Sequence, residues 1–299
     1  MAAFADLSNL PSASQPPSKR PKLSPPPPPV PRTALELLLA QPASPPSPTA
    51  IPAPLLACCL PPVNPLSGDV RLSEIVGTAG SGKTNLSLSL CLSSLLSSPS
   101  PVLYLTCGVE AGGSAAAGDV TPAIQRFERI VRGHCGEHDA PPASSLLARF
   151  HHMSLSDTDS FEAVLLSPPD DPGSIHRLLP TPLPGLMVVD SLAGLYRSSY
   201  SDDAAPSQIP PSFFFRLSAS LRTLPFHTVL INQVKREATP CFGLPWSCCV
   251  NARVALRRHL VGGDSTGGSK FKRYYKIEFG GEGEGEYRIE EGGVVDAGE

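Results

Sequence analysis

No two cysteines in this chain of 299 residues stand at Cys-x-x-Cys spacing; the eight fall at Cys58-Cys59, Cys91, Cys107, Cys135, Cys241 and Cys248-Cys249. With no secretory signal read in the sequence, that scatter speaks against a disulfide framework and points to reduced thiols in a cytosolic or nuclear protein. His134, Cys135 and His138 lack a second cysteine pair at finger spacing, so a polar loop is the expectation there rather than a metal site. His151-His152 are expected as strand-end or surface residues. Strong charge is also missing. A net charge of -3 imposes no overall field toward nucleic acid or membrane, so any DNA contact has to come from local patches. No internal repeat is present.

What the chain has in excess is proline. About half of its 36 prolines precede Leu66. Runs such as Pro25 to Pro29 lack the backbone donors that helices and central strands need, and favour polyproline II. Residues 1–65 are therefore expected to form a mostly disordered Pro-rich arm. Its apolar island, Leu35 to Ala40, is long enough for a helical turn or docking peptide, but a bilayer span needs about 20 residues. Residues 66–299 are expected to form one α/β core domain.

Within that core, apolar runs of strand length alternate with helical patterns. Val70–Val76, Val102–Thr106, Phe150–Leu155, Leu186–Asp190, Thr228–Asn232 and Asn251–Leu256 read as strands. Asn85–Leu96, Pro122–Arg132, Phe161–Leu166 and Phe213–Leu224 read as helices, and Pro168–Pro184 as a long connection. Tyr274–Phe279 and Glu286–Ile289 suggest a terminal hairpin. The alternation implies an α/β fold with a mostly parallel central sheet covered on both faces.

The octet Gly77, Thr78, Ala79, Gly80, Ser81, Gly82, Lys83, Thr84 satisfies the phosphate-loop pattern G-x-x-x-x-G-K-[ST], between a predicted strand and a predicted helix. Glycines let backbone N–H groups turn inward around a polyphosphate, and the helix start adds the positive end of its dipole. Lys83 supplies charge to the outer phosphates, and Thr84 a magnesium ligand. Asp190 ends an apolar strand, which places its carboxylate at the carboxyl edge of the sheet as the metal-holding aspartate. The expected cofactors are ATP and Mg2+.

The order of the octet, Val188-Val189-Asp190-Ser191-Leu192-Ala193, Tyr196-Arg197 and Leu230-Ile231-Asn232-Gln233-Val234 resembles the core of eukaryotic RecA-type strand-exchange recombinases and their repair paralogues. The resemblance runs on through Gly243-Leu244-Pro245-Trp246 and Val250 to Arg257, covering residues 70–295. Within that family, Phe150-His151-His152-Met153 taken with Asp190 to Arg197 is most similar to the third X-ray-repair cross-complementing branch. The resemblance implies a RecA-like ATPase core and a role in recombination repair. It also implies partners in single-stranded DNA or recombination intermediates and in other recombinase paralogues of a heteromeric complex. Gln233 matches the residue that senses the terminal phosphate, although Asn232 and Gln233 also suit ordinary strand-end amides. Residues 198–211 and 235–245 match the two DNA-facing loops.

Two departures bear on catalysis. The family's water-positioning glutamate follows the strand equivalent to Val102–Thr106. That place falls near Cys107-Gly108 here, with Glu110 two residues on as the remaining catalytic candidate. Asp202 and Asp203 stand in the first loop where the family places a basic residue, and they repel phosphate. The implied activity is thus ATP binding with slow hydrolysis, in a nucleotide-gated clamp. A helicase-type or transporter-type motor and a nucleotide-dead scaffold are the alternatives.

Arg253, Arg257, Arg258, Lys270, Lys272, Arg273 and Lys276, interleaved with Phe271, Tyr274 and Tyr275, suit either a phosphate-tracking surface or a lysine-protected strand edge. Ser18-Lys19-Arg20-Pro21-Lys22-Leu23 suits either a nuclear import signal or a solvated charged patch. The nucleus is the expected location.

Overall fold

The chain is described here from a computed structural model, which covers residues 32–33, 51–60, 72–108, 122–135, 142–196, 209–234, 242–263, 269–290 and 293–297. The expected strands fall where the apolar runs place them: β2 (Leu72–Gly77), β3 (Val102–Cys107), β4 (Phe150–Leu155), β5 (Leu186–Asp190), β6 (His227–Gln233) and β7 (Ala252–Gly263). All six run parallel, in the order β4-β3-β5-β6-β2-β7. Antiparallel strands β8 (Ser269–Phe279), β9 (Glu284–Glu290) and β10 (Gly293–Asp296) extend the sheet beyond β7. The two-residue β1 (Arg32–Thr33) pairs with β4 at the other edge.

Side-chain alternation explains why these runs are continuously apolar. On β3, Val102 and Tyr104 enter one core while Leu103, Leu105 and Cys107 enter the other; on β5, Leu186 and Val188 part in the same way from Met187 and Val189. A strand buried on both faces needs apolar residues at every position. The first core is closed by α2 (Lys83–Ser97), α3 (Pro122–His134) and α4 (Ala143–Ala148), the second by α5 (Thr158–Leu166), α6 (Ile175–Leu178), α7 (Leu192–Leu195), α8 (Pro211–Arg222) and α9 (Gly243–Ser247).

The helix after the glycine loop owes its position to Leu86, Leu88, Leu90, Leu92 and Leu95, all buried against the sheet. Its carboxyl end is held by Arg149, whose guanidinium donates to the Leu95 carbonyl at 2.7 Å and the Ser98 carbonyl at 2.6 Å. Those carbonyls have no helical partner of their own, and a cation there complements the dipole.

Several expectations change. The folded part reaches further toward the amino terminus than the boundary at residue 66: α1 (Ala53–Cys59) packs on the sheet with Leu55, Cys58 and Cys59 buried. Its prolines, Pro52 at the N-cap and Pro54 in the first turn, occupy positions where no backbone N–H is required, so proline content misleads there. The rest of the expected arm, including Leu35–Ala40, lies outside the described residues apart from β1, Ile51, Pro52 and Leu60. His151 and His152 are neither strand ends nor both on the surface: they sit inside β4, and His152 is buried with Nε2 2.8 Å from Thr106 Oγ1. The terminal hairpin is also larger than expected, with β7 running twelve residues and pairing β8 along most of its length.

A buried polar network ties the strands around the glycine loop. Glu74 on β2 is fully buried; its Oε2 accepts from Arg253 Nε at 2.6 Å, and its Oε1 accepts from Asn232 Nδ2 and Trp246 Nε1, each at 2.8 Å. Arg253 Nη2 also donates to Ser247 Oγ at 2.8 Å. Arg253 therefore leaves the candidate DNA-binding stretch: it is a core cation on β7 balanced by Glu74. Asn232, read as a strand-end amide, is likewise a core residue of β6.

Candidate nucleotide site

Strand β2 delivers Gly77 to the carboxyl edge of the sheet, and α2 starts at Lys83, so the octet forms the strand-to-helix turn that its pattern requires. Gly80 and Gly82 take φ of 72° and 97°, which β-carbon-bearing residues rarely adopt. Gly77 is confined differently: a β-carbon there would lie 2.6 Å from the Leu256 carbonyl oxygen on β7. Ser81 N–H donates to the Thr78 carbonyl at 3.2 Å and tightens the loop.

The charged groups converge on this turn. Lys83 Nζ donates to the carbonyls of Gly77 and Thr78, both at 2.8 Å, which holds its ammonium over the mouth of the loop. Thr84 Oγ1 donates to Asp190 Oδ2 at 2.8 Å although 106 residues separate them. That brings together the two residues read as magnesium ligands. Gln233 ends β6 in parallel register with Gly77, so it stands beside the first residue of the octet.

The residues present fit a magnesium nucleotide. The loop's glycine conformations leave its interior to backbone N–H groups, Lys83 brings the cation for phosphate, and Thr84 and Asp190 are paired oxygen donors of the type magnesium selects. Ser81 Oγ and Asn85 Oδ1 are buried polar atoms at this turn without a hydrogen-bond partner among the described residues. Such atoms call for a partner beyond the described residues, a water or a bound ligand among them.

Sequence reasoning missed the residues that brace the site. Tyr104 on β3 is fully buried, and its hydroxyl donates to Asp190 Oδ2 at 2.7 Å. Burial, then the charge of Asp190, pushes the phenol well above its ordinary range, so it stays protonated as a donor. Cys107 at the end of β3 is pushed up by burial and by Asp190 in the same order, which makes it a neutral thiol and no proton acceptor. From the far side, three residues of the β7–β9 extension rest on successive loop residues. Arg258 Nη1 lies against Gly80, the Tyr287 hydroxyl donates to the Ser81 carbonyl, and Ile289 packs on Gly82. A tyrosine in an apolar strand and an isoleucine in a terminal hairpin carry no signal of these contacts in the sequence.

Glu110 lies outside the described residues, as do Arg197 and most of both candidate DNA-facing loops. The turn before Glu110 is described: Gly108 takes φ 87°, and a β-carbon there would lie 3.0 Å from the Gly194 backbone. The chain thus leaves β3 through a left-handed residue that only glycine fits comfortably. Among the described residues, no carboxylate occupies the end of β3.

Of the basic stretch, Arg257, Arg258, Lys272 and Lys276 are exposed, whereas Arg253 and Tyr275 are buried. Arg258 stacks its guanidinium 4.3 Å from the centre of the Phe271 ring, and Lys272 Nζ pairs with Glu286 at 2.9 Å. Strand alternation puts Arg257 and His259 on the face opposite Arg258. There, with Tyr274, Lys276, Glu284 and Glu286, they line a cavity of about 670 Å³. Both charge signs meet in it. Among the described residues no group of His, Cys, Asp and Glu has metal-site geometry, and no helix is long and apolar enough to cross a membrane.

No family model matches the chain, and no curated protein does. Among solved structures it is similar to the crystal structure of the RadB recombinase, at 20% identity and a TM-score of 0.51, over 76% of this chain and 90% of that one. The likeness shows the fold: an α/β core of the RecA-like kind, with a large, mostly parallel sheet.

Proposed function

We propose that this chain is an ATP-binding paralogue of the RecA-type recombinases, acting in homologous-recombination DNA repair as a nucleotide-gated clamp within a heteromeric complex on single-stranded DNA in the nucleus. The contact between Thr84 and Asp190 at 2.8 Å carries the reading, because it joins the phosphate loop to the strand-end carboxylate that a magnesium nucleotide requires. Bound magnesium ATP supplies a charge-dense polyphosphate whose outer phosphate differs between the triphosphate and diphosphate states. In that frame Lys83 neutralises the outer phosphates, Thr84 and Asp190 hold the cation, and the loop N–H groups fix the chain of phosphates. In this reading Gln233, whose position at the end of β6 beside Gly77 supports the role, responds to the outer phosphate and passes that state to the segment after β6. The finer resemblance to the third X-ray-repair cross-complementing branch rests on Phe150-His151-His152-Met153 and on Asp190 to Arg197. The RadB likeness supports the recombinase core common to that group.

A clamp is favoured over a motor because the end of β3 presents Cys107 and Gly108. Neither can orient an attacking water as a carboxylate does. Steady-state ATP turnover, with and without single-stranded DNA, tests this. Nucleotide binding with slow turnover is expected, fast DNA-stimulated turnover would make the protein a motor, and absence of both would leave an assembly scaffold.

A further inference from the structure

Tyr104 stands behind the site and reaches it through Asp190. It is the only polar side chain on β3 that is wholly enclosed, and burying a phenol is unfavourable unless its hydroxyl is satisfied. Its partners close a ring. Thr84 Oγ1 and Tyr104 OH both donate to Asp190 Oδ2, at 2.8 and 2.7 Å. Ser87 Oγ lies 3.2 Å from Tyr104 OH and 2.9 Å from the Thr84 carbonyl oxygen. The circuit therefore leaves Thr84 by its side chain and returns to it at its backbone, through β5, β3 and α2.

Counting protons orders the ring. Thr84 and Tyr104 both donate to the Asp190 carboxylate, so the single phenolic proton is used there, and the Ser87 proton is shared between the Thr84 carbonyl and the phenolic oxygen. Both donors sit on Oδ2. Oδ1 accepts nothing among the described residues, so it is the oxygen left for a cation or its water. A strand-end carboxylate with one donor could still rotate about its terminal bond. With donors converging from the helix and the neighbouring strand, it cannot do so without breaking one of them.

We infer that Tyr104 is a positioning residue for the magnesium-coupled part of nucleotide binding: the Thr84–Asp190–Tyr104–Ser87 ring fixes the carboxylate relative to the threonine before the metal arrives. This rests on the reading of Thr84 and Asp190 as the magnesium pair. It adds that the pair is held in place by a phenol that touches neither nucleotide nor metal. Among the described residues Tyr104 makes no hydrogen bond to the Gly77–Thr84 octet, so metal-free nucleotide affinity should not depend on its hydroxyl.

The test titrates ATPγS into the full-length chain in magnesium and in EDTA. Tyr104→Phe keeps the ring that fills the core and removes only the donor. In EDTA the variant should bind within about twofold of the wild type; in magnesium it should lose on the order of tenfold, the scale of a hydrogen bond to a charged group. Asp190→Asn sets the full size of the magnesium increment, and the double variant should bind no more weakly than Asp190→Asn alone, because both changes remove one interaction. A Tyr104→Phe protein that keeps the wild-type magnesium increment, or one that loses affinity equally with and without magnesium, overturns the inference. If that variant fails to fold, Ser87→Ala opens the ring from the helix side and should lose part of the increment, about two- to threefold; a folded Ser87→Ala protein with the full increment overturns it as well. A wild type without any magnesium increment removes the Thr84–Asp190 reading itself, and is told apart because it appears before any variant is made.

Discussion

Gln233 and Gly77 face each other across the β6–β2 ladder, the last residue of one strand against the first residue of the phosphate loop. Its backbone N–H donates to Asn232 Oδ1 at 2.8 Å, and Asn232 in turn donates to buried Glu74. The residue proposed to respond to the outer phosphate is therefore anchored through its neighbour to the same network that holds β2.

That anchoring separates sensing from binding. Gln233→Ala should leave ATP affinity within about fivefold of the wild type, since a neutral amide contributes on the order of 1 kcal/mol. The difference in single-stranded DNA affinity between the ATP and ADP states should shrink toward zero. Fluorescence anisotropy with a labelled oligonucleotide in each nucleotide state measures both. An unchanged ATP-to-ADP ratio would remove the sensing role.

The Glu74–Arg253 pair predicts a stability effect of a definite sign. Glu74 is fully buried and Arg253 almost so, with 2.6 Å between Nε and Oε2. Arg253→Met should cost about 3 to 5 kcal/mol, because it strands a buried carboxylate. Adding Glu74→Gln should recover part of that loss by removing the stranded charge. Urea unfolding of the two proteins decides it, and an Arg253→Met protein as stable as the wild type would show that the pair does not hold β2 to β7.

Much of this arrangement was legible in the sequence, and the rest was hidden for identifiable reasons. The octet is a contiguous pattern whose glycines have only a backbone meaning, and Asp190 follows an apolar run that has few alternatives to a buried strand. Arg253 was not separable from Arg257 and Arg258, because its partner Glu74 lies 179 residues away and only strand pairing brings them together. Tyr104 read as one more large residue in an apolar strand, since nothing local distinguishes a phenol that bonds from one that fills space. Helix α1 was masked by its prolines, which look the same at a permitted helix start as in an unfolded arm. Six-residue α4 and four-residue α6 are too short for a hydrophobic period to show.

Alkaline pH should destabilise the folded protein. Cys91, Cys107, Tyr104 and Tyr287 are all pushed up from ordinary values of 9.0 for the thiols and 10.0 for the phenols, by burial first in every case. The folded state holds these protons more tightly than the unfolded one. Their contribution is therefore complete below about pH 9 and is lost as the pH rises above it, when the unfolded chain ionises first. Urea midpoints should be insensitive to these four groups between pH 6 and 8 and fall steadily from about pH 9. A midpoint that rises over the alkaline range would contradict the burial of these groups.

Glycine 82 gives a backbone test of the loop. With φ at 97° and the Ile289 Cδ1 methyl against the place a β-carbon would take, Gly82→Ala is strained in conformation and displaces Ile289. A cost of about 1 to 3 kcal/mol is expected for such a residue, together with weakened nucleotide binding as the loop shifts. Thermal melts with and without magnesium ATP measure both, and wild-type behaviour in each would mean that the loop relaxes without consequence.

The central claim is that the turn from Gly77 to Thr84, with Asp190, binds a magnesium nucleotide. Isothermal titration of ATPγS into the purified chain tests it most directly, on wild type, Lys83→Ala and Asp190→Asn, each with magnesium and with EDTA. Saturable binding by the wild type is expected, weakened on the order of tenfold or more by Lys83→Ala under both conditions, since a charge-assisted contact to phosphate is lost. Asp190→Asn should bind as the wild type does in EDTA and lose affinity only when magnesium is present. A folded wild-type chain that takes up no nucleotide, or variants that bind as it does under both conditions, would contradict the account at its base.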